Sequence, residues 1–404
     1  MQTSRRQFVK IGALAAGAVL LRRLAADDAA TDKLKAIHDQ LVTHMTDLVT
    51  QAKARLENGP TLLMPCVSNT YRGVWPDDTL YPLMAVPSLA KKDELSGVLS
   101  FLTDSMADLH YVPDRVEADG LPILSPGGSA SPPMTDRMPL HLPAAWIRLL
   151  DYYRGFGAEI PRKQEWAKLI KRSIERVPFA CGLAYADPQK PPIGFGFHDS
   201  IKISGFELMS SLMLYRGLQR AVKLFEGSIE QTTLDHWTHL ADGIRSNLHR
   251  SYDARIGGYV GGSRQGHQFS VWANGLIYSL ADAPAKQKIV QFYRDNRQKI
   301  FKLGCTRQIA EPSWQGTGGA GSYQNGGFWA TGTGYVLPAI HDQDPGFALE
   351  LAGELVENLP KINFAEWIDA NSKPAGAMKF LASVALPILG MRSIMERKPL
   401  IEYF

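Results

Sequence analysis

The sequence predicts an all-α protein: a single-domain toroid of six helical hairpins, wound in two layers and carrying few strands. Three observations lead there. Helical periodicity recurs about twelve times between residues 32 and 395. Period-2 runs are scarce, and no long linker, low-complexity tract or charge block divides the chain. Two long stretches, 201–226 and 375–395, are apolar on nearly every side, as an inner layer covered on both faces requires.

The elements follow in order. Residues 3–10 read Thr-Ser-Arg-Arg-Gln-Phe-Val-Lys, and Ile11 to Leu21 follow without a charge. Paired arginines before a weak hydrophobic stretch form a twin-arginine export signal, which implies passage through the Tat translocase to the periplasm or beyond. Eleven apolar residues are too few for a spanning helix, which needs about 20. Leu24-Ala25-Ala26 offers a small-residue cleavage site; left uncleaved, the segment would act as an anchor. The expected organisation is therefore a signal over residues 1–26 and a catalytic toroid over 27–404.

Helices are expected near 32–57, 79–90, 92–108, 139–155, 161–177, 201–226, 230–250, 269–281, 285–302, 325–341, 345–358 and 375–395. Pro161, Pro284 and Asp344-Pro345 supply start signals. The connections, 178–197, 255–268, 305–327 and 360–374, are rich in Gly, Pro and aromatics. Gathered at one end of a toroid, such loops surround a funnel.

Charge and cysteine usage exclude several classes. The 404 residues carry a formal charge of +4, but Arg5, Arg6, Lys10, Arg22 and Arg23 all fall in the signal, which holds no acid. The remainder sits at −1, so there is no electrostatic case for nucleic acid or an anionic membrane. Cys66, Cys181 and Cys305 form no CxxC pair, arguing against a disulfide framework or a zinc cluster.

Four segments carry chemistry. In Phe195-Gly-Phe-His-Asp-Ser (195–200), Asp199 precedes a long apolar stretch. As a helix N-cap its pKa would fall; as a general acid buried against Phe195 and Phe197 it would rise. In 363–377, Glu366 stands in a loop between Phe364 and Trp367, an aromatic pair suited to a sugar platform or a packed lid. In 323–330, glycines bring Asn325 and Trp329 to the funnel mouth, and no phosphate-loop pattern is present. In 71–81, Asp77-Asp78 follow Trp75. A doubled Asp suits Mg²⁺, but the third acid is missing, and Asp78 clasping sugar hydroxyls over Trp75 is the better reading. Glu311, in a loop with Trp314, is a rival base or a substrate clamp. His198 orients Asp199 or fills the core, and Glu207 is read as a satisfied acid within the inner wall.

Together these segments resemble the six-hairpin (α/α)6 glycosidases, the group of trehalases, neutral/alkaline invertases and processing α-glucosidases, over residues 60–395. Asp199-Ser200 with Gly205 resembles the region that supplies their general acid. Tyr323-Gln-Asn-Gly-Gly-Phe-Trp329 is similar to their Tyr-His-Asn-Gly-Gly-x-Trp loop, with Gln324 at the His position. Glu366-Trp367-Ile368-Asp369, then Lys373-Pro374-x-Gly376, resembles the turn carrying the general base. His267 to Asn274 resembles an inner-helix entry. Val74 to Asp78 matches the region of an Arg-Asp binding pair, with Asp77 where Arg is usual.

The resemblance implies an inverting glycoside hydrolase without a cofactor. Asp199 would be the acid and Glu366 the base, with Trp75, Asp77, Asp78, His198, His267, Glu311, Trp314, Gln324, Asn325, Trp329 and Trp367 around a carbohydrate substrate. Such chemistry needs carboxyls ~6.5–9.5 Å apart on either face of the sugar. Only a closed ring brings residues 199 and 366 face to face. A polysaccharide lyase using Tyr323, His267 and Arg264, or a non-catalytic sugar-binding protein, are the other readings.

Overall fold

A computed structural model describes residues 31–57, 59–68, 70–126, 138–190, 193–312 and 319–404. The twin-arginine segment and Trp314 lie outside the described residues. All twelve expected helices are present: α1 (31–52), α2 (Pro76–Ala85), α3 (Lys92–Ser105), α4 (Leu142–Gly155), α5 (Lys163–Glu175), α6 (Leu208–Phe225), α7 (Gln231–Asn247), α8 (Val271–Ile277), α9 (Ala283–Asp295), α11 (Ala330–Gln343), α12 (Pro345–Asn358) and α13 (Ala382–Met395). A short α10 (Arg297–Ile300) follows a break at Asn296 in what reads as one helix over 285–302.

Six helices form the inner wall. Each packs on the next in the order α2, α4, α6, α8, α11 and α13, and α13 returns to α2, closing the ring. Their composition explains their place. Every residue of α8 is buried, and α13 is buried from Ala382 to Met391. The outer helices are amphipathic instead. In α5, Trp166, Ala167, Leu169, Ile170, Ser173 and Ile174 face inward while the charged positions stay wet. One continuous apolar core runs from Leu34 to Phe404. Among the described residues no helix is long and apolar enough to cross a membrane.

Among the described residues the strands are two to four residues long and gather in five small antiparallel sheets. These stitch the loops together. Gly73–Val74 pairs with Arg115–Glu117, bringing the start of α2 beside Asp114 and Arg115. Phe328 pairs with Ile368, bringing the 323–329 loop beside Glu366.

Three helix starts differ from the expectation. The stretch 201–226 becomes helical only at Leu208, because Gly205 takes a left-handed turn (φ 84°) and Gly205–Phe206 join a sheet. Glu207 is therefore the N-cap of α6, its carboxylate accepting from the Ser210 amide at 2.5 Å, and is not an acid inside the helix. Residues 374–375 form a strand ahead of α13, and 328–329 form one ahead of α11.

Candidate active site

The inner helices α2, α4, α11 and α13 begin around one cavity of about 510 Å³. Trp75 to Asp78 come from the start of α2, and His141 and Leu142 from the start of α4. Gly196, Phe197 and Asp199 precede α6, Tyr323 precedes α11, and Glu366 and Phe380 precede α13. Arg72, Asp114, Arg115 and Glu117 complete the wall. Helix N-termini offer partial positive charge to anions, which suits a floor built from carboxylates.

Glu366 is 3 % exposed. The Tyr71 hydroxyl donates to both of its oxygens at 3.1 Å, and the Ala377 amide donates to Oε2 at 2.8 Å. Tyr323 hydrogen-bonds it as well. Burial outweighs these donors and lifts its pKa to about 7, with the Asp199 charge adding to the rise. Gly376 makes room for it: the residue has φ 73°, and a Cβ there would stand 2.5 Å from Glu366 Oε2.

Asp199 ends a short 3₁₀ turn, Gly196–His198, and caps no α-helix. Burial raises its pKa, while Gln324, His198 and nearby amides pull the other way. Its Oδ1 has no hydrogen-bond partner among the described residues. The rise is the direction that the general-acid reading requires and the capping reading forbids.

Asp77 and Asp78, although adjacent, differ. Asp77 is held by Arg148, and its Oδ2 lies 3.0 Å from His141 Nε2. Despite burial, these two partners keep its pKa low. Asp78 faces no cation, so burial and the charges of Asp77, Glu366 and Asp114 push it well up. Its Oδ1 is also without a partner among the described residues. Burial lifts Asp114 to about 6 in spite of Arg115. Arg115 binds Glu117 at 2.6 Å and Asp114 at 3.2 Å, and its guanidinium lies 4.8 Å from the Trp75 ring centre.

Of the predicted site residues, the fold gathers Asp199, Glu366, Trp75, Asp77 and Asp78 on the cavity wall. Gln324 lies directly behind Asp199, accepting from the Ser200 amide at 2.7 Å and its hydroxyl at 2.9 Å. Trp329 is fully buried against Phe197 and Tyr323, and Trp367 packs on Tyr323. His198 and Asn325 are buried. His267 is exposed and 3.0 Å from Asp253, and Glu311 is exposed in an ion pair with Lys299. Neither lines the cavity. Asp114, Arg115 and His141 are wall residues that no motif picked out, and Tyr71 opens the 71–81 segment without having been given a role. Among the described residues no three His, Cys, Asp or Glu side chains converge as metal ligands, and Asp77 is already engaged by Arg148 and His141.

No family model matches the sequence, and no curated protein is similar to it. Solved structures are. The GH63 mannosylglycerate hydrolase from Thermus thermophilus superposes with a TM-score of 0.57 at 13 % identity, over 86 % of this chain and 99 % of that one. A glucoamylase from Saccharomycopsis fibuligera gives 0.56 at 12 % identity, over 91 % and 96 %. A rhamnosidase from Klebsiella oxytoca gives 0.57 at 14 %, over 91 % and 64 %. The fold is the six-hairpin (α/α)6 toroid of these glycosidases. In the toroid, Asp199 and Glu366, remote in sequence, meet at one cavity.

Proposed function

We propose that the protein is an exported glycoside hydrolase that cleaves a small neutral glycoside or oligosaccharide with inversion. Asp199 protonates the leaving oxygen, and Glu366 draws a proton from the attacking water. The reading is carried by one observation: two carboxyls outside any ion pair among the described residues, both held above their ordinary pKa by burial, line the same sugar-sized cavity.

Their hydrogen bonds assign the roles. Glu366 accepts from Tyr71, Tyr323 and the Ala377 amide. Three donors favour a carboxylate, the form a base needs. Asp199 keeps one oxygen free of partners, where an acid holds the proton it will deliver. Asp78, with its own free oxygen, and the Trp75 ring hold the sugar. The wall bears Asp77, Asp78, Asp114, Glu117, Asp199 and Glu366 against two cations, Arg72 and Arg115, the second already held by Asp114 and Glu117, and this excess of carboxyl groups favours a neutral sugar over a uronate. Neither His267 nor Arg264, on which a lyase would draw, is on that wall. Export rests on the twin-arginine pattern of residues 3–10.

A panel of aryl glycosides and disaccharides, with the first-formed anomer read by NMR, tests the proposal. Asp199→Asn and Glu366→Gln should each lower hydrolysis by about 10³-fold or more with the fold intact. Azide should revive Glu366→Ala, and activated leaving groups should spare Asp199→Ala. The reverse pattern exchanges the two roles, and undiminished rates in both variants refute the assignment.

A further inference from the structure

Tyr323 and Gln324 are consecutive, yet they serve different carboxyls. Tyr323 shares the cavity wall with Glu366, packs at 6.0 Å on the neighbouring Trp367 and acts on Glu366 as a donor. Gln324 grips the other side: its Oε1 accepts from the Ser200 amide and hydroxyl, and its side chain also bonds Asp199. A primary amide has both an acceptor and donors, so a single Gln can hold both neighbours. It does so without changing charge as the pH moves, unlike a His.

The backbone fixes this divergence. Tyr323 adopts φ 44°, a left-handed conformation that costs a non-glycine residue of order 1–3 kcal/mol and persists only under constraint. The constraint is visible. The Tyr323 carbonyl accepts from the Gly327 amide at 2.8 Å and from Trp329 Nε1 at 3.3 Å. The Gly321 amide donates to the Asn325 carbonyl at 2.8 Å. A Cβ at Gly327 would collide with the Tyr323 oxygen. Gln324 is 1 % exposed, and Trp329 and Trp367 flank the Tyr323 ring at 5.2 and 6.0 Å.

We propose that Tyr323-Gln324 is the spacer that sets the separation and alignment of the acid and the base. Tyr323 is the positioning residue of Glu366, and Gln324 that of Asp199. The inference rests on the hydrolase reading above. Inversion requires a gap that admits the sugar ring and one water. The two carboxyls arrive on separate loops, and this dipeptide contacts both.

The two halves are separable by leaving group. On a series from 2,4-dinitrophenyl to alkyl glycosides, Tyr323→Phe should lower kcat/KM by about 10-fold on every substrate, because the base serves them all equally. Gln324→Leu should lower it by about 10²-fold on alkyl glycosides and by less than about 5-fold on dinitrophenyl ones, which need little acid assistance. Gln324→Glu, isosteric and still able to accept from Ser200, removes the donor to Asp199; it should give the same selective loss if the Leu variant does not fold. Equal patterns in the Tyr323 and Gln324 variants, whether uniform, selective or without loss, overturn the spacer. A wild-type protein that hydrolyses no glycoside refutes the hydrolase reading itself, and the spacer falls with it.

Discussion

Asp77 and Asp78 share a helix turn and belong to two different regions. At the cavity wall, Asp77 and His141 begin a buried column that continues to Arg148. Arg148 lies 5.0 and 4.9 Å from the ring centres of Tyr81 and Phe404. Every charge there has a partner, and Asp77 stays ionised. On the floor, Glu366 is buried and Asp78 and Asp199 are half-buried, none of the three is in an ion pair among the described residues, and all three are pushed up. Burial alone does not set the state of an acid; counter-charges can outweigh it, as Arg148 and His141 do at Asp77, or fall short, as Arg115 does at Asp114.

The comparison breaks most violently at Arg148. Arg148→Met should cost about 3–5 kcal/mol, because it strands the Asp77 carboxylate in the core. Chemical unfolding measures this, and adding Asp77→Asn should restore part of the loss. An Arg148→Met protein as stable as wild type means that the column contributes nothing.

The floor should respond in the opposite sense. Glu366 ionises near pH 4.5 when unfolded and near 7 when folded. Keeping it charged therefore costs the folded state free energy, fully above pH 7 and not at all below 4.5. Glu366→Gln should stabilise the protein by about 2 kcal/mol at pH 8, with the gain fading towards pH 4.5. An inactive variant that melts higher at pH 8 and no higher at pH 4 would show a site maintained at the expense of stability. A pH-independent melting difference would put the Glu366 proton elsewhere.

The two regions were unequally legible in the sequence. The floor announced itself through residue types that a closed ring of helices must bring together: Asp199 before an apolar stretch, Glu366 between aromatics, Asp78 after Trp75. The column did not, because Asp77 reads as half of an acidic pair. Its partner lies 71 residues away, and the one signal was an Arg at position 148 within the apolar stretch from Leu142 to Leu150 of an inner helix. Asp114 and Arg115 were hidden for a different reason: a strand pairing of two residues carries them to the wall, below what period-2 patterning detects. Glu207 was misplaced because apolarity from Ile201 onward resembles helix, whereas Gly205 turns the chain first. His267 and Glu311 looked plausible by neighbourhood, but each has an outward partner, Asp253 and Lys299, that holds it at the surface.

The smallest expected effect tests the boundary between the regions most finely. The Tyr71 hydroxyl is the nearest thing Glu366 has to a counter-charge, a dipole donating to both oxygens. Tyr71→Phe keeps the ring that packs at 5.3 Å from Trp75 and 6.1 Å from Phe380, so the wall should hold its shape. Losing the donor disfavours the carboxylate and raises the Glu366 pKa beyond about 7. A base must be deprotonated to act, so the acidic limb of the kcat/KM profile should move to higher pH, by about one unit given the Tyr323 and Ala377 donors that remain. Well above that limb the rate should fall only a few-fold, about 3–10. If the limb stays where it is, the titrating group is not Glu366. If it moves to lower pH, the hydroxyl had been stabilising the protonated carboxyl, and Glu366 would be the acid.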